Sequence, residues 1–237
     1  MNSLLIVIPA HNESDTIVNV IKDLELNGYK DVLVVDDAST DDTAIKAINC
    51  GVTVMSLAFN LGAWKATQAG LRYAFEHNYE NVITFDADGQ HLASELYKLI
   101  SHQKTANDDI VIGSCLSRGT IGRHIAWKFF RALSGVHIKD LTSGLRLYNR
   151  KAIEVLSRKE ATLLEYQDVG VLLLLRSFKV SKGEIAVHMV DRTSGISRIF
   201  HSWGAVLYYM AYTTILCFCK LAKTNKLISA PSILNKD

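Results

Sequence analysis

The first half of the chain alternates short apolar runs with stretches of helical periodicity, and this alternation strongly limits the possible folds. Apolar residues recur at helical spacing in Ile17, Val20, Ile21 and Leu24. Five runs read as buried strands, at residues 4–8, 32–35, 52–57, 82–85 and 110–112. This order predicts an α/β fold with a mostly parallel, doubly wound sheet and ligands at the carboxyl ends of its strands.

Polar residues that directly precede the first two helices are candidates for their N-caps. Asn12 or Ser14 would cap the first helix, and Ser39 or Thr40 would cap the second. Each of these side chains has an oxygen that can accept a hydrogen bond from a backbone N–H of the first turn. We therefore expect both helices to begin close to these residues.

Composition allows a packed domain and narrows the range of functions. The chain has 237 residues, 49% of them hydrophobic and 21% charged, which suits one large domain or a domain with an appendage. Its net charge of +2 does not indicate nucleic-acid binding. The first residues lack the pattern of a secretory leader, and the four cysteines lack zinc spacing, so we expect reduced thiols in a cytosolic setting.

Asp86 and Asp88 end the run at 82–85 and are the most informative polar residues of the chain. In extended backbone, alternate side chains point the same way, so the two carboxylates can converge at a strand tip. Two hard oxygen donors suit Mg²⁺ or Mn²⁺, which complete their shells with water and substrate phosphates. A strand followed by a simple Asp-Gly turn is the alternative.

Further polar clusters follow the other strands. Pro9, His11 and Glu13 come after the first, and Asp36 and Asp37 come after the second. Acidic groups that converge on one rim indicate a cleft that binds a cation or a ribose. For either of Asp36 and Asp37 taken singly, a helix-capping carboxylate is an equal alternative.

Two loops of the second half carry arginines among Gly and Ser. Arg118 and Arg123 lie in one, and Arg192 and Arg198 lie in the other. Planar guanidinium groups could clamp a diphosphate or an anionic acceptor. A solvated surface charge is the alternative for each of them.

Residues 203–219 contain no charge and are followed by Lys220, Lys223 and Lys226. This run is at the short limit of the roughly 17–25 residues that span a bilayer as a helix. Its aromatic residues and flanking lysines favour a helix that lies in or dips into the cytoplasmic leaflet. A true span and a buried core or oligomer helix are the alternatives.

Motifs over residues 4–200 together resemble family 2 glycosyltransferases of the GT-A fold, and in particular the dolichyl-phosphate mannose synthase-like and polyprenyl-phosphate sugar synthase branch. Six segments carry the resemblance, at residues 8–13, 35–43, 60–62, 86–91, 140–146 and 192–197. Two departures occur. Leu92 and Ala93 replace the usual prolines, which should leave metal binding intact, and Leu145 replaces the usual aromatic, which bears on acceptor recognition.

The resemblance implies a role for each candidate residue. Asp88, Arg123 and Asp168 would serve catalysis, and Asp86, Asp88 and Gln90 would hold Mg²⁺ or Mn²⁺ at the diphosphate. The nucleotide sugar would be bound by Pro9, His11, Glu13, Asp36, Asp37, Asp86 and Ala87. The acceptor or its phosphate would be bound by Arg118, Arg123, Arg192 and Arg198.

The acceptor decides whether a general base is needed. A polyprenyl phosphate oxygen is already anionic, whereas a sugar hydroxyl calls for a carboxylate base, and Asp168 in the segment Glu165–Asp168 is the candidate. Alternatively, Glu165 and Asp168 merely lie in the first turn of a helix and stabilise its dipole. A single inverting displacement needs no covalent enzyme intermediate.

We therefore expect a catalytic domain at 1–198 and a membrane-associating tail at 199–237, acting at the cytoplasmic face of a membrane. The expected partners are a nucleoside-diphosphate sugar, a polyprenyl phosphate or lipid-linked saccharide, and a membrane surface. A separate membrane protein stays open, and no nucleic acid is expected. The alternatives are a hydroxyl-directed transferase that extends a polysaccharide, a phospho-accepting receiver module, which the length disfavours, and an inactive nucleotide-binding scaffold.

Overall fold

The computed structural model describes residues 4–115, 121–190 and 203–222, with side chains there except at 121–125, 203, 205, 206 and 220–222. The strands are β1 (Leu4–Ala10), β2 (Val32–Asp36), β3 (Thr53–Ser56), β4 (Asn81–Thr84), β5 (Ile110–Ser114), β6 (Arg146–Asn149) and β7 (Lys182–Ala186). The helices are α1 (Ile17–Leu26), α2 (Thr43–Asn49), α3 (Ala63–Glu76), α4 (Leu96–Ala106), α5 (Ile121–Ser134), α6 (Arg150–Ser157), α7 (Lys159–Thr162), α8 (Val169–Ser177) and α9 (Trp203–Ala222). A short 3₁₀ turn covers Ala93–Glu95.

The strands form one seven-stranded sheet in the order β3-β2-β1-β4-β6-β5-β7. All neighbouring pairs are parallel except those of β6, which runs antiparallel to β4 and β5. The predicted α/β class with a mostly parallel sheet is therefore confirmed. The strand order reverses direction between β1 and β4, so the crevice beyond their carboxyl ends is the expected ligand position.

Alternation along the strands divides the core into two layers. Leu5 and Val7 of β1 join the layer with α3, α6 and α8, whereas Ile6 and Ile8 join the layer with α1 and α4. Successive side chains of a strand point to opposite faces, so a strand buried on both faces has no polar side. This explains why the strand runs of the first half are continuously apolar.

Both helices begin later in the chain than the sequence predicted. Thr16 precedes α1 and Asp42 precedes α2, and neither side chain makes a cap hydrogen bond. The expectation that Ser14 or Asn12, and Ser39 or Thr40, would cap these helices is therefore wrong. Asn12 and Ser39 instead bond to each other, from the Asn12 N–H to Ser39 Oγ at 2.9 Å, because their loops follow neighbouring strands.

The C-terminal helix α9 packs on the hydrophobic core of the domain. Its Tyr209 and Cys217 are buried in the layer that contains α8, and α9 also contacts α5. Within the described ranges, no helix combines the length and apolarity needed to cross a membrane. The predicted boundary between residues 198 and 199 lies outside the described residues.

Candidate active site

The loops after β1 and β2 are tied together at the carboxyl end of the sheet. The Asp37 N–H donates to the Ala10 carbonyl at 2.8 Å, and His11 Nδ1 lies 2.8 Å from the Asp37 carbonyl oxygen. The Glu13 N–H donates to Thr43 Oγ1 at 2.8 Å. These bonds place His11, Glu13 and Asp37, three of the predicted nucleotide-binding residues, on one rim.

Asp37 also organises the start of α3. Its carboxylate accepts the N–H groups of Leu61 at 2.7 Å and Gly62 at 2.8 Å. Gly62 has a φ of 89°, which an L side chain rarely adopts, so this residue needs to be glycine. The neighbouring Asp36 is 4% exposed, and its Oδ1 is buried without a hydrogen-bond partner among the described residues.

Asp86 and Asp88 lie in a turn just beyond β4 and not within the strand. The strand ends at Thr84, and the Phe85 N–H makes a further bond to the Val7 carbonyl at 2.9 Å. Asp88 Oδ1 then accepts the Gln90 N–H at 3.1 Å, across a glycine with a φ of 74° at position 89. Both aspartates are half-buried. The alternation that predicted their convergence therefore stops just before them.

The residue before α1 is hydrogen-bonded to the turn that contains Asp86 and Asp88. Thr16 Oγ1 donates to the Ala87 carbonyl at 2.7 Å, in a bond that is buried. Ala87 itself is only 4% exposed, so its backbone and not its side chain is the group available to a ligand. The bond joins the turn after β4 to the helix that follows the His11 and Glu13 loop.

The Asp86 carboxylate is enclosed on two sides. His91 Nε2 lies 2.9 Å from Asp86 Oδ2, and the imidazole is 1% exposed. On the other side, a Cβ at Gly144 would overlap both carboxylate oxygens of Asp86. Thr84 Oγ1 donates to the Gly144 carbonyl at 2.6 Å and fixes this backbone. The motif placed His91 beside the aspartates, but neither its bond nor the role of Gly144 was inferred from the sequence.

The donor set fits a divalent cation that arrives with a diphosphate. Among the residues that the structure describes, no group of three or more His, Cys, Asp or Glu side chains is arranged to hold a metal by itself. Mg²⁺ is usually held by one or two carboxylates, with substrate phosphates and water completing the shell. Asp86 and Asp88 supply two such carboxylates, and Gln90 follows directly, with its Nε2 3.5 Å from the Val190 carbonyl.

The segment 140–146 is held rigidly beside this turn. Arg146 is fully buried, and its guanidinium donates to the carbonyls of Ser143 at 2.9 Å and Leu141 at 3.1 Å. Asp140 accepts the Thr142 N–H at 3.1 Å. Leu145, where the resembled family has an aromatic, is fully buried in the core. A residue pointing inward at this position does not contact an acceptor directly.

Asp168 is the N-cap of α8. Its Oδ1 accepts the Gly170 N–H at 3.3 Å, and the residue is 5% exposed. Burial raises the pKa of this carboxyl, against the opposing effects of Tyr209 and the nearby charge of Arg146. Glu165 lies before the helix, where its carboxylate accepts the Tyr208 hydroxyl at 3.1 Å. Asp168 thus caps the helix, whereas neither Asp168 nor Glu165 lies in its first turn, where the helix-dipole alternative placed them.

A hydrogen-bonded chain leads from the segment 165–168 to the turn that contains Asp86 and Asp88. Gln167 Nε2 donates to Tyr148 Oη at 2.8 Å and lies 3.3 Å from Thr84 Oγ1. Thr84 is two residues before Asp86 and also bonds the Gly144 carbonyl. Sequence reasoning missed Gln167 and Tyr148, because β6 was not predicted.

The four predicted acceptor arginines are not placed by the structure. Arg118, Arg192 and Arg198 lie outside the described residues, and Arg123 lies in the first turn of α5 with its side chain outside the description. The chain does approach the site just before Arg192. The Val190 N–H donates to the Gln90 carbonyl at 3.0 Å, and Met189 pairs with His91.

Comparison with known proteins identifies a family and a set of relatives. The family model described as Glycosyl transferase family 2 matches residues 5–157. A UDP-N-acetylglucosamine–dolichyl-phosphate N-acetylglucosaminyltransferase of Methanococcus voltae is 27% identical, over 82% of this chain and 88% of the relative. An undecaprenyl-phosphate mannosyltransferase of Micrococcus luteus is 29% identical, over 83% of this chain and 87% of the relative. Both names pair a sugar transferase with a lipid phosphate.

Solved structures share the fold. Glucosyl-3-phosphoglycerate synthase from Mycobacterium tuberculosis in complex with phosphoglyceric acid aligns with a TM-score of 0.71 at 19% identity, covering 98% of this chain and 85% of that one. The same enzyme with Mn²⁺, uridine diphosphate and phosphoglyceric acid gives a TM-score of 0.67 at 18% identity, covering 97% and 80%. At these identities the likeness establishes the GT-A architecture alone.

Proposed function

This chain belongs to glycosyl transferase family 2, and we propose that it moves a sugar from a nucleoside-diphosphate sugar to the phosphate of a polyprenyl lipid, with inversion, at the cytoplasmic face of a membrane. It is a nucleotide-sugar-dependent glycosyltransferase, and its relatives act on polyprenyl or dolichyl phosphates. The acceptor of this chain, the stereochemistry and the membrane face are the parts that we add.

One observation supports the proposal more than any other. The turn with Asp86 and Asp88 is hydrogen-bonded to the start of α1, and the loops after β1 and β2 are hydrogen-bonded to each other. Carboxylates and a nucleotide-binding rim thus share the crevice where the strand order reverses, the position where open α/β sheets bind ligands.

A divalent cation, Mg²⁺ or Mn²⁺, held by Asp86, Asp88 and Gln90 would offset the negative charge that develops on the leaving diphosphate. The protein's part is to present these oxygens in a fixed direction. His91 and Gly144 limit how the Asp86 carboxylate turns, and the Gln90 N–H holds one oxygen of Asp88.

In the proposal, Pro9, His11 and Glu13 line the nucleotide pocket together with Asp36 and Asp37. The Asp36 Oδ1 atom is the strongest candidate for a ligand contact. It is buried without a hydrogen-bond partner among the described residues, whereas both Asp37 oxygens already accept backbone N–H groups. A nucleoside N–H or hydroxyl donor would satisfy it.

The burial of Asp168 as a helix cap favours a phosphate acceptor over a hydroxyl acceptor. A general base must reach the proton that it removes, but Asp168 is buried as a helix cap. An anionic phosphate oxygen needs no such base. Transfer to a hydroxyl with Asp168 as base stays the second candidate, because a buried carboxyl with a raised pKa is also typical of catalytic sites.

In the proposal, the acceptor phosphate and the diphosphate are bound by the arginines at 118, 123, 192 and 198. The pairing of Met189 with His91 and of Val190 with Gln90 supports this for Arg192, which follows two residues after Val190. The membrane surface would deliver the lipid, and a separate membrane protein that extends this surface is compatible with the proposal.

The test is a transfer assay with the intact protein, Mn²⁺, labelled GDP- or UDP-sugars and a polyprenyl phosphate in detergent micelles. We expect a labelled lipid whose sugar is released by mild acid, because a glycosyl phosphate is acid-labile and a glycoside is stable. An acid-stable product made only from a lipid-linked saccharide would support the hydroxyl-directed alternative. If the protein transfers sugar from none of these nucleotide sugars, the result would support the alternative of an inactive nucleotide-binding scaffold.

A further inference from the structure

Helix α9 is hydrogen-bonded to the connecting segment, residues 163–168, which joins α7 to α8. The Tyr212 hydroxyl accepts the Glu165 N–H at 3.2 Å and donates to the Leu163 carbonyl at 3.5 Å. The Tyr208 hydroxyl donates to the Glu165 carboxylate at 3.1 Å. A backbone N–H within a helix or strand bonds to another backbone group, whereas the Glu165 N–H bonds to a side chain 47 residues away. The conformation of the connecting segment therefore depends on α9.

Ring packing and a buried hydrogen bond fasten the same segment to α9. The ring of Tyr166 meets those of Tyr209 and Tyr212 edge to face, with centroids 5.2 and 5.8 Å apart. The Tyr209 hydroxyl donates to the Asp168 carboxyl, and both residues are 5% exposed. Edge-to-face pairs of this kind stabilise a structure beyond the area that they bury. Tyr166 and Asp168 are therefore held on the side of the segment that faces α9.

Gln167, which lies between these two residues, points to the sheet instead. Its Nε2 donates to Tyr148 Oη on β6 at 2.8 Å and to Thr84 Oγ1 on β4 at 3.3 Å. Thr84 Oγ1 in turn donates to the Gly144 carbonyl at 2.6 Å, and Gly144 lies against the Asp86 carboxylate with no room for a side chain. Hydrogen bonds and direct packing thus connect α9, through the connecting segment, with a proposed metal ligand.

We propose that Tyr208 and Tyr212 are positioning residues for sugar transfer, which hold the connecting segment so that Gln167 keeps the surroundings of Asp86 in place. A segment without regular backbone hydrogen bonds opens easily unless contacts from outside select one conformation. In the alternative, these bonds only attach α9 to the domain, and their loss lowers stability without a change at the turn of residues 85–91. The inference rests on the proposed function, because it takes Asp86 as a metal ligand.

The experiment compares the intact wild type with Tyr208→Phe/Tyr212→Phe, a double variant that loses two hydroxyls and keeps both rings. Hydrogen exchange of the unliganded protein, followed by mass spectrometry, should become faster at residues 85–91 as well as in the connecting segment. The affinity for Mn²⁺ in the presence of UDP should fall about 3- to 30-fold, the usual size of coupling between connected sites. Excess Mn²⁺ should restore turnover, which a loss of folded protein would not allow.

Two further variants test the route. Thr214→Ala is the matched control, because this hydroxyl of the same helix donates to the Met210 carbonyl at 2.7 Å, within α9. It should show wild-type exchange and Mn²⁺ affinity. In a Gln167→Leu background the route to Thr84 is already broken, so adding the two tyrosine substitutions should lower the Mn²⁺ affinity by less than about twofold more.

Two results would overturn the proposal. They are wild-type exchange at residues 85–91 in the folded double variant, and an undiminished further loss of Mn²⁺ affinity in the Gln167→Leu background. Circular dichroism shows whether the double variant folds, and if it does not, the single variants Tyr208→Phe and Tyr212→Phe take its place. A wild type that binds no Mn²⁺ with UDP would overturn the proposed function as well. Wild-type binding that the tyrosine substitutions leave unchanged would overturn only this inference.

Discussion

His91 donates a hydrogen bond to Asp86 from inside the core, with Nε2 2.9 Å from Oδ2. A carboxylate can only accept, so Nε2 carries the hydrogen. The other ring nitrogen, Nδ1, is buried without a hydrogen-bond partner among the described residues, which a lone pair tolerates better than an N–H would. The imidazole therefore serves as a fixed donor that sets the direction of the Asp86 carboxylate.

Loss of this donor should weaken metal binding. We expect His91→Phe to lower the affinity for Mn²⁺ in the presence of UDP by about 10- to 100-fold, the usual effect of removing a group that orients a metal ligand. Isothermal titration calorimetry measures this without turnover. His91→Gln, which can still donate from Nε2, should recover part of the affinity.

A second histidine–aspartate pair provides the control. His102 Nε2, on α4, lies 3.2 Å from Asp108 Oδ2, and neither residue belongs to the turn that contains Asp86 and Asp88. His102→Phe should leave the Mn²⁺ affinity unchanged. Equal affinities for wild type and His91→Phe would contradict the orienting role.

Gly144→Ala should disturb Asp86 from its other side. The new methyl group would overlap the carboxylate oxygens, so Asp86 or the backbone must shift. We expect a loss of about 1–3 kcal/mol in the free energy of unfolding, the usual range for overpacking, together with weaker Mn²⁺ binding. Urea unfolding measures the first and calorimetry the second.

A double-mutant cycle tests the cause. In an Asp86→Ala background the carboxylate is absent, so adding Gly144→Ala should cost much less stability than in the wild type. An undiminished cost in that background would assign the effect of Gly144→Ala to the backbone of segment 140–146.

The sequence predicted strands β1 to β5, but neither the antiparallel strand β6 nor the parallel strand β7. Strands β1, β2, β4 and β5 are largely buried on both faces, so their apolar runs are visible in the sequence. Strand β6 has the sequence Arg-Leu-Tyr-Asn and carries a fully buried arginine. Its polar character conceals a central strand, because Arg146 is buried with its Nε and Nη2 groups donating to carbonyls of the preceding loop.

The site was predictable where it depends on residue type and not where it depends on a distant partner. Two carboxylates after an apolar strand indicate a metal site whatever the details of the turn. The bonds from Asp37 to Leu61 and Gly62 join residues about two dozen positions apart, and no local pattern reveals them. Local sequence likewise left the place of Asp168 open.

Asp88→Ala should abolish turnover and spare the fold. The variant loses one of two proposed metal-binding carboxylates, together with the acceptor for the Gln90 N–H. We expect kcat to fall by at least about 100-fold, with a far-ultraviolet spectrum like that of the wild type. Asp15→Ala, at an exposed acid of the same end of the sheet, is the control. An unaffected product yield in Asp88→Ala would refute its role.

Asp37→Ala should destabilise the protein even without nucleotide. The change leaves the N–H groups of Leu61 and Gly62 without their acceptor at a part-buried site, which costs about 0.5–1.5 kcal/mol for each lost hydrogen bond. Urea unfolding without ligand should therefore show the loss. Wild-type stability combined with lost UDP affinity would instead make Asp37 a direct nucleotide contact.

The pH dependence of stability, compared between the wild type and Asp168→Asn, distinguishes a structural carboxyl at this position from a catalytic base. Burial raises the pKa of Asp168 in the folded protein above its ordinary value near 4. The folded state therefore holds this proton more tightly than the unfolded chain. Its stabilising effect is complete below the unfolded pKa and is lost as the pH rises through the raised folded value.

Urea unfolding over that pH window should show wild-type stability falling relative to Asp168→Asn, with a slope of at most about 1.4 kcal/mol per pH unit. With a polyprenyl phosphate acceptor, kcat of the folded variant should stay within a few-fold of the wild type, because the acceptor oxygen is already ionised. A folded Asp168→Asn protein that has lost turnover would instead identify Asp168 as the base and favour a hydroxyl acceptor. The stability curve and the turnover number thus separate the helix-capping role of Asp168 from a catalytic one in a single variant.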